Sequence, residues 1–513
     1  MDEPDPFVVA PVVEAAPSIE GGAERRRVST VLLLPLQSAA LREMLILARA
    51  FREDGRYRPV LILREERKYA GAPVDLGEIE YVRWSDRGAH LTSGGAWGAP
   101  AAPTAASGAS AAPPRRSWKS RLRRVLGRLF ADGLPVALIE YAVLTRLLRR
   151  EIRRAEEICA ALDPVAVLLS GDRNILIEPS LMRAARERGL LTVVVPFAYS
   201  GADDVAYMRR DQPLNRVDAG PQRALKRWIA RRWPRQVYAS PYGAFLFFTP
   251  AVTLALARWG LLPPNPWAMG GGLSDRLAVS GEDDRDWAVR MGVVPEKIVI
   301  TGEASHDLLH AAGKRRPALR ARLAAQRGIG ADRPWIICAV PQLAEHGIMG
   351  WDRHWEEIRF LAKAQVASGA AVLLSLHPKS DPAAYRFLEE ETGARLLDEP
   401  LRDVLAAADV FVGTYSSTVR WAVLLAIPTV VVDFYGFDYD IYDHFPGVVK
   451  VTEKAALEPL LRRLVQDPED ARVLREGQRR AAGRVAPFDG RACHRLIDLV
   501  AAHHGGSTAC LSA

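Results

Sequence analysis

The chain has 513 residues, 49% of them apolar and 25% charged, a composition that disfavours wholesale disorder, collagen and a polytopic membrane protein. Its net charge of +8 is concentrated in segments 115–154 and 223–235, and the remainder is net acidic. Because a nucleic-acid backbone requires positive charge spread along a surface, we expect no nucleic-acid partner. The 4 cysteines are too few and too scattered for a disulfide framework, which indicates a reducing compartment. No pair has the Cys-x-x-Cys spacing of a structural zinc site.

Two segments are predicted to carry no chemistry. Residues 1–27 are typical of a disordered tail and lack the basic start and apolar run of a signal peptide, so we expect a cytoplasmic protein. Residues 94–114 are rich in Ala, Pro, Gly and Ser, a composition typical of a linker.

Elsewhere, short β-branched runs alternate with helical patterns, as in parallel sheets covered by helices. The first series predicts helices at 39–53 and 179–188 and strands at 29–34, 59–63, 165–169, 191–195, 276–279 and 298–301. The second series predicts strands at 335–340, 371–376, 410–412, 429–433 and 448–450, with closing helices at 457–464, 471–483 and 491–503.

These series predict an α/β protein of two doubly wound Rossmann-like domains that face a cleft. We expect an acceptor-side domain at 28–310, a nucleotide-donor-binding domain at 328–485, and a closing helix and tail at 486–513. Two helical insertions, 115–155 and 221–262, are expected to extend the first domain.

The insertions combine basic and apolar segments. Segments 115–128 and 223–235 adjoin apolar runs, and 237–257 carries no charge. This pattern favours a peripheral element on the inner face of the cell membrane, with arginines at anionic headgroups. Two alternatives stay open: a bilayer span, which Pro241, Gly243 and Pro250 would interrupt, and a buried core element beside a solvated basic face.

Ligands of open parallel sheets bind outside the carboxyl ends of the strands. His377 directly follows the predicted strand 371–376, where a protonated imidazole could stabilise a phosphate leaving group; the alternative is a strand cap. His346 follows strand 335–340 and could line the donor phosphate, with Glu345 able to hold its ring. It could equally be an ordinary loop histidine.

The segment 413–418 follows another predicted strand and precedes a helix. Thr414, Ser416 and Ser417 would place hydroxyls beside free backbone N–H groups, which favours phosphate, although simple helix capping explains one serine. Arg420 could add positive charge to the same donor site.

In the first domain, Asp172 follows strand 165–169 and is predicted to face the cleft as the general base for the acceptor. A helix cap or a partner of Arg173 is the alternative, and Asp203 and Asp204 are competitors for the base. The glycine run 270–272 precedes a strand and lacks G-x-G-x-x-G spacing, so we do not interpret it as a nucleotide loop.

We expect no metal site. Asp438 and Asp440 form an Asp-x-Asp pattern, but they lie in an aromatic loop where Tyr435, Phe437 or Tyr439 could stack on a base. No cofactor is expected beyond the nucleotide-activated donor, which is a substrate.

Four stretches resemble the donor-binding half of GT-B transferases, particularly the CDP-glycerol glycerophosphotransferase and bacterial sialyltransferase-like groups. They are LHP (376–378), TYSST (414–418), the VVVDF strand after Pro428, and FDYDIYDHFPG (437–447). The resemblance covers about residues 275–450. It implies that His377, Ser416 and Ser417 contact the phosphates of a nucleotide-activated sugar or polyol.

A second, weaker resemblance is to non-hydrolysing UDP-sugar 2-epimerases, through TGEASHD (301–307) and SGDRN (170–174). Arg420 and Trp421 stand where those enzymes have a paired glutamate, and 196–198 reads Pro-Phe-Ala where they carry an acid. Epimerisation would therefore lack evident groups for proton transfer.

The sequence thus predicts a GT-B-type transferase that moves a sugar or polyol-phosphate to a surface-polysaccharide or lipid-linked acceptor at an anionic membrane surface. The alternatives are a sugar-nucleotide 2-epimerase and a non-catalytic scaffold of a glycan-assembly complex.

Overall fold

The computed structural model describes residues 28–69, 74–86, 88–97, 133–197, 201–378, 380–437 and 440–511. The predicted tail 1–27, linker residues 98–114 and basic residues 115–132 lie outside the described residues.

The first domain is built on an eight-stranded sheet of order β12-β11-β8-β7-β1-β2-β4-β5, parallel except for the β4–β5 pair. Its strands are β1 (Ser29–Leu34), β2 (Tyr57–Leu63), β4 (Glu80–Arg83), β5 (Thr92–Ser93), β7 (Pro164–Leu169), β8 (Leu191–Val194), β11 (Arg276–Val279) and β12 (Ile298–Ile300). A small antiparallel pair joins β3 (Val74–Asp75) to β6 (Ala96–Trp97), so the start of the predicted linker belongs to a strand.

The central strands are largely apolar because both faces of the sheet are covered. In β1, Val31 and Leu33 pack into one core cluster while Leu32 and Leu34 pack into another. This alternation is the period of two expected of a strand.

Helices surround this sheet. They are α1 (Ser38–Asp54), α2 (Leu134–Leu162), α3 (Ile177–Arg186), α4 (Ala202–Arg209), α5 (Arg223–Arg232), α6 (Pro250–Arg258), α7 (Glu282–Arg290) and α8 (Ala304–Lys314). Short 3-10 turns occur at Glu66–Lys68, Pro234–Gln236 and Pro295–Lys297.

The second domain has a fully parallel six-stranded sheet of order β15-β14-β13-β16-β17-β18. Its strands are β13 (Trp335–Ala339), β14 (Ala371–Ser375), β15 (Arg395–Leu397), β16 (Val410–Gly413), β17 (Thr429–Val432) and β18 (Val448–Val451). The helices are α9 (Arg316–Arg327), α10 (Trp351–Ala367), α11 (Pro382–Tyr385), α12 (Phe387–Thr392), α13 (Leu401–Val404), α14 (Thr418–Leu424), α15 (Lys454–Gln466), α16 (Pro468–Val485) and α17 (Ala492–Leu511), with a 3-10 turn at Leu405–Ala407.

Both sheets are doubly wound. Strand order reverses between β1 and β7 in the first sheet and between β13 and β16 in the second. The prediction of two Rossmann-like domains is confirmed, and every strand predicted above is present. The last helix returns to the first domain, where Leu496, Ile497 and Val500 pack with Leu41 and Phe51.

The insertion predicted to be helical at 221–262 contains the helices α5 and α6, but a strand pair lies between them. Val237–Ser240 and Gly243–Leu246 pair as the antiparallel strands β9 and β10, and Gly243, the first residue of β10, adopts a φ of 124° that glycine tolerates. Phe245, Phe247 and Phe248 are buried in the core, so they do not face lipid. In the described part of the chain, no helix has both the length and the apolar character needed to cross a membrane.

Candidate functional site

Two neighbouring strands of the second sheet present side chains at the point where strand order reverses. His346 follows β13, and Tyr415 follows β16. Nδ1 of His346 lies 3.2 Å from the Tyr415 hydroxyl. Ligands of doubly wound sheets bind at this reversal point. The structure therefore places His346 where the sequence analysis expects a donor.

His377 lies at the same edge, after β14, which is the other neighbour of β13. Its side chain is exposed, and its backbone carbonyl accepts a hydrogen bond from the Ser380 amide at 2.9 Å. His346, His377 and the 414–418 loop are thus brought to one sheet edge. Their contact with a donor stays a prediction.

Glu345 does not hold the His346 ring. Its Oε1 accepts hydrogen bonds from the hydroxyls of Ser380 at 3.2 Å and Tyr385 at 2.9 Å. Gln342 also donates to Ser380, at 3.2 Å. These bonds join the loop after β13 to the turn that follows His377, and so they fix the two loops relative to each other.

In the loop 414–418, the two serines differ: Ser417 is exposed to solvent, and the hydroxyl of Ser416 is hydrogen-bonded within the loop. Ser417 precedes α14 and is exposed. The Ser416 hydroxyl lies 2.8 Å from the Thr418 hydroxyl and accepts a hydrogen bond from the Thr418 amide at 3.3 Å. Thr414 is buried, and its contact with a donor stays a prediction.

Aromatic rings line the same edge. The rings of Tyr415 and Phe437 are 5.0 Å apart, and those of Phe437 and Tyr435 are 5.6 Å apart. Asp433 accepts a hydrogen bond from the Phe437 amide at 2.9 Å, which holds the loop after β17. Of the predicted Asp-x-Asp loop, Asp438 and Tyr439 lie outside the described residues.

No cluster of His, Cys, Asp and Glu among the described side chains has the arrangement needed to hold a metal ion. The absence of a metal in the reaction stays a prediction.

Arg420 contacts the other domain instead of the predicted donor phosphate. Its two terminal nitrogens donate to the two Asp284 oxygens at 2.7 and 2.9 Å. Arg484 also crosses to the first domain, where it donates to two separate carboxylates, Asp283 at 2.8 Å and Asp286 at 2.7 Å. The predicted phosphate contact of Arg420 conflicts with this geometry, because the bidentate pair already occupies the guanidinium.

The expectation that Asp172 faces the cleft is wrong. Its side chain is 2% exposed, and its carboxylate accepts hydrogen bonds from the amides of Gly270 at 3.2 Å and Gly272 at 2.7 Å. Lys297 donates to the carbonyls of the same two glycines at 2.8 and 3.1 Å. Burial raises the pKa of Asp172 above its usual range. The carboxylate therefore anchors the glycine run, and it does not reach an acceptor.

The two competing aspartates also have structural contacts. Asp203 accepts a hydrogen bond from the Tyr238 hydroxyl at 3.0 Å. Asp204 accepts one from the Gly201 amide at 3.0 Å, at the start of α4.

Sequence reasoning missed Glu43, which lies in α1 after the carboxyl end of β1. Its carboxylate accepts a hydrogen bond from the Ser305 amide at 3.0 Å, and it lines a small cavity with Phe197 and Glu303. Burial, with the neighbouring Glu303 carboxylate as the second cause, raises the pKa of Glu43 to about 7. Arg402, which follows the carboxyl end of β15, opposes that rise. A carboxyl group that titrates near neutral pH at the junction of the domains can accept or donate a proton.

A signal for Glu43 is present in the sequence. It lies nine residues after the end of the first strand, in a helix whose neighbouring residues Leu41, Met44 and Leu45 are buried. The residues directly after β1, Pro35 to Gln37, offer no chemistry, so a search confined to strand ends passes over this helix.

Comparison with solved structures finds proteins of both groups named above. UDP-GlcNAc 2-epimerase from Neisseria meningitidis bound to UDP-GlcNAc is 11% identical, with a TM-score of 0.48, over 91% of this chain and 98% of that one. The wall teichoic acid polymerase TagF is 11% identical, with a TM-score of 0.45, over 94% and 90%. S. aureus MnaA with UDP is 11% identical, with a TM-score of 0.42, over 91% and 95%. No protein-family model and no curated protein matches the chain.

Proposed function

We propose that this protein is a transferase that moves a sugar or a polyol-phosphate from a nucleotide-activated donor to an acceptor. The observation that carries the proposal is the convergence of His346, His377, Tyr415 and Ser417 at the reversal point of the second sheet. Strand ends at such a point are the usual ligand site of this architecture, and here they present hydroxyls, imidazoles and aromatic rings together.

Each group has a chemical role in this proposal. The exposed His377 imidazole, when protonated, donates a hydrogen bond to the phosphate of the leaving nucleotide, which is the diphosphate when a sugar is transferred and the monophosphate when a polyol-phosphate is transferred. The Ser416 and Ser417 segment adds hydroxyl and amide donors to the phosphates. Tyr415 and Phe437 offer ring faces and edges against which a nucleobase packs.

The acceptor side is assigned to Glu43, because Asp172 is buried against the glycine run. Acceptor transfer with inversion requires a group that takes a proton from the acceptor hydroxyl, and a carboxylate with a pKa near 7 is suited to that task. We further propose a surface-polysaccharide or lipid-linked acceptor and attachment of the protein to the inner face of the cell membrane. The exposed arginines of α5 support the membrane part of the proposal.

A sugar-nucleotide epimerase is the second candidate, and one observation favours it. Glu43 and Glu303 form a carboxylate pair at the domain junction, and they supply the proton-transfer groups that the sequence analysis found lacking. The two reactions differ in one requirement, since an epimerase converts its substrate without an acceptor.

The test begins with thermal shifts in CMP, CDP, UDP and GDP, followed by nucleotide release from the matching donor with and without acceptor. Release that depends on acceptor supports the transferase, and conversion without acceptor supports the epimerase. A scaffold gives neither.

Variants locate the site. His377→Ala and the double change Ser416→Ala/Ser417→Ala are each expected to weaken nucleotide binding about tenfold or more, because a charge-assisted hydrogen bond contributes about 1.5–3 kcal/mol. His90→Ala removes an exposed histidine of the first domain and serves as the matched control. If both test variants bind nucleotide as the parent does, the donor does not lie at this edge.

A further inference from the structure

Helix α2 presents an apolar stripe to solvent near its start. Leu138 and Ile139 are 65% and 59% exposed, and Val143 and Leu147 are exposed further along the helix. Spacing of four residues places Ile139, Val143 and Leu147 along one face. A different face of α2 carries Leu148 and Ile152, which are buried in the core. The exposed stripe is therefore separate from the face through which α2 packs against the core.

A groove lies beside this stripe, between α2, α5 and α6. Its volume is about 450 Å³, and its walls are almost entirely apolar: Ala137, Leu138, Tyr141, Leu225, Ala251, Leu254, Ala257 and Arg258. This size lies within the range of roughly 300–1,000 Å³ that is usual for sites that enclose small molecules.

Positive charge borders the groove. Trp228 and Arg232 lie three and seven residues after Leu225 on the same flank of α5, and both are exposed. Arg258 forms part of the groove wall. Helix α5 also exposes Arg223, Arg227 and Arg231, and it contains no acidic residue.

This charge distribution selects one occupant. A second copy of the chain docked through the same face would bring like-charged arginines together, since a twofold interface pairs a patch with itself. An anionic lipid surface instead offers phosphate groups to the arginines, hydrocarbon to the groove, and an interfacial position to Trp228.

We propose that this groove takes a hydrocarbon chain of an anionic membrane phospholipid, while Arg232 and Arg258 bind its headgroup phosphate. The inference deepens the proposed membrane attachment by assigning it to the α2 stripe and this groove, and it does not depend on the donor site. It also narrows the sequence prediction, because Phe245, Phe247 and Phe248 of the apolar run 237–257 belong to the core, while Ala251, Leu254 and Ala257 of the same run line the groove.

The test is flotation of the full chain with vesicles of phosphatidylcholine, with and without phosphatidylglycerol, in the absence of nucleotide. Binding that requires phosphatidylglycerol is expected. The double change Leu138→Glu/Ile139→Glu should lower the partition coefficient at least about tenfold. Its matched control is Val289→Glu/Val294→Glu, which alters two exposed apolar residues in and after α7 and should have a much smaller effect.

A second variant tests the groove itself. Leu254→Trp fills it without adding charge and should also reduce binding, and Ala257→Leu is a milder filling change if the first variant unfolds. Circular dichroism checks that each variant is folded. Parent-like binding by the stripe variant or by the folded groove variants would overturn the proposal.

Two further outcomes separate this inference from its rivals. Self-association of the parent without vesicles that the Leu138→Glu/Ile139→Glu change abolishes would assign the face to a second copy and overturn the lipid site. His377→Ala should float as the parent does, because the assay contains no nucleotide. If the proposed donor site proves wrong, the flotation result therefore still tests the lipid site.

Discussion

Replacing Glu43 with glutamine tests the assigned proton carrier through the stability of the fold. The Glu43→Gln side chain would retain an oxygen that can accept the Ser305 amide hydrogen bond, but it cannot ionise. In the parent, burial and the Glu303 carboxylate raise the pKa of Glu43 from 4.5 to about 7. The folded state therefore keeps a proton that the unfolded chain has already lost above pH 4.5.

The sign of the effect follows from this difference. Below pH 4.5 both states are protonated and the group contributes nothing. Between pH 4.5 and about 7 the unfolded chain ionises while the folded state resists it, so the free energy of unfolding of the parent falls, and it levels off above that range. A pKa difference of this size corresponds to about 3 kcal/mol in full, of which about 2–3 kcal/mol develops between about pH 5 and pH 8. Glu43→Gln should gain that much stability over the parent across this interval.

The assay is urea unfolding of parent and variant at four pH values from about 5 to about 8, followed by tryptophan fluorescence. Glu53→Gln, which replaces an exposed carboxyl of the same helix, is the matched control. Glu303→Gln should reduce the slope without abolishing it, because it removes the second cause of the pKa rise. A constant difference between Glu43→Gln and the parent would refute the assignment.

Measuring the turnover of Glu43→Gln tests the proposed general base independently of stability. If Glu43 is the general base, Glu43→Gln should lose about 10²–10⁴-fold in rate while it gains stability in mildly alkaline buffer. Stabilisation with full activity would place the base elsewhere.

Three other predictions concern contacts that hold the site. Asp284→Ala should destabilise the protein by about 3–5 kcal/mol because it removes the carboxylate that both terminal nitrogens of Arg420 bond. In urea unfolding, Asp284→Ala/Arg420→Met should cost less than the sum of the single changes, and additivity would show that the pair is not coupled. Asp172→Asn should lower stability by about 1–3 kcal/mol, because the Asn side chain turns an N–H toward one of the glycine amides. Turnover per folded molecule should be preserved, and lost turnover in a fully folded variant would return Asp172 to the reaction. Gly272→Ala should lower the melting temperature strongly in a thermal scan, because its Cβ would lie 2.5 Å from an Asp172 oxygen, and an unchanged melting temperature would contradict the packing described for this run.

The strands could be predicted because burial on both faces leaves a clear mark in the sequence. Runs such as Val31–Leu34 are apolar at every position, and polar residues that follow such runs stand out. The place of His346, His377 and Ser417 at one edge of the sheet could be predicted in this way, since the position of a strand end fixes the edge that a residue occupies.

The errors arose where distant parts of the chain decide the outcome. The strand end positions Asp172, but the direction of its carboxylate depends on Gly270 and Gly272, which lie 98 and 100 residues later. The raised pKa of Glu43 depends on Glu303, which only the fold brings near. The uncharged run 237–257 has a composition that suits lipid and protein core equally well, so its sequence alone could not distinguish them.

The return of α17 to the first domain affects how the protein is made. Asp307 accepts hydrogen bonds from the amides of Ala492 and Cys493 at 2.8 and 2.9 Å, and Ile497 completes the cluster that contains Leu41. Domains generally fold as units while the chain emerges from the ribosome, the N-terminal one first. Because α17 follows the second domain in the chain, it is synthesised after that domain, and the apolar face of the first domain beside α1 stays uncovered while the second domain is translated.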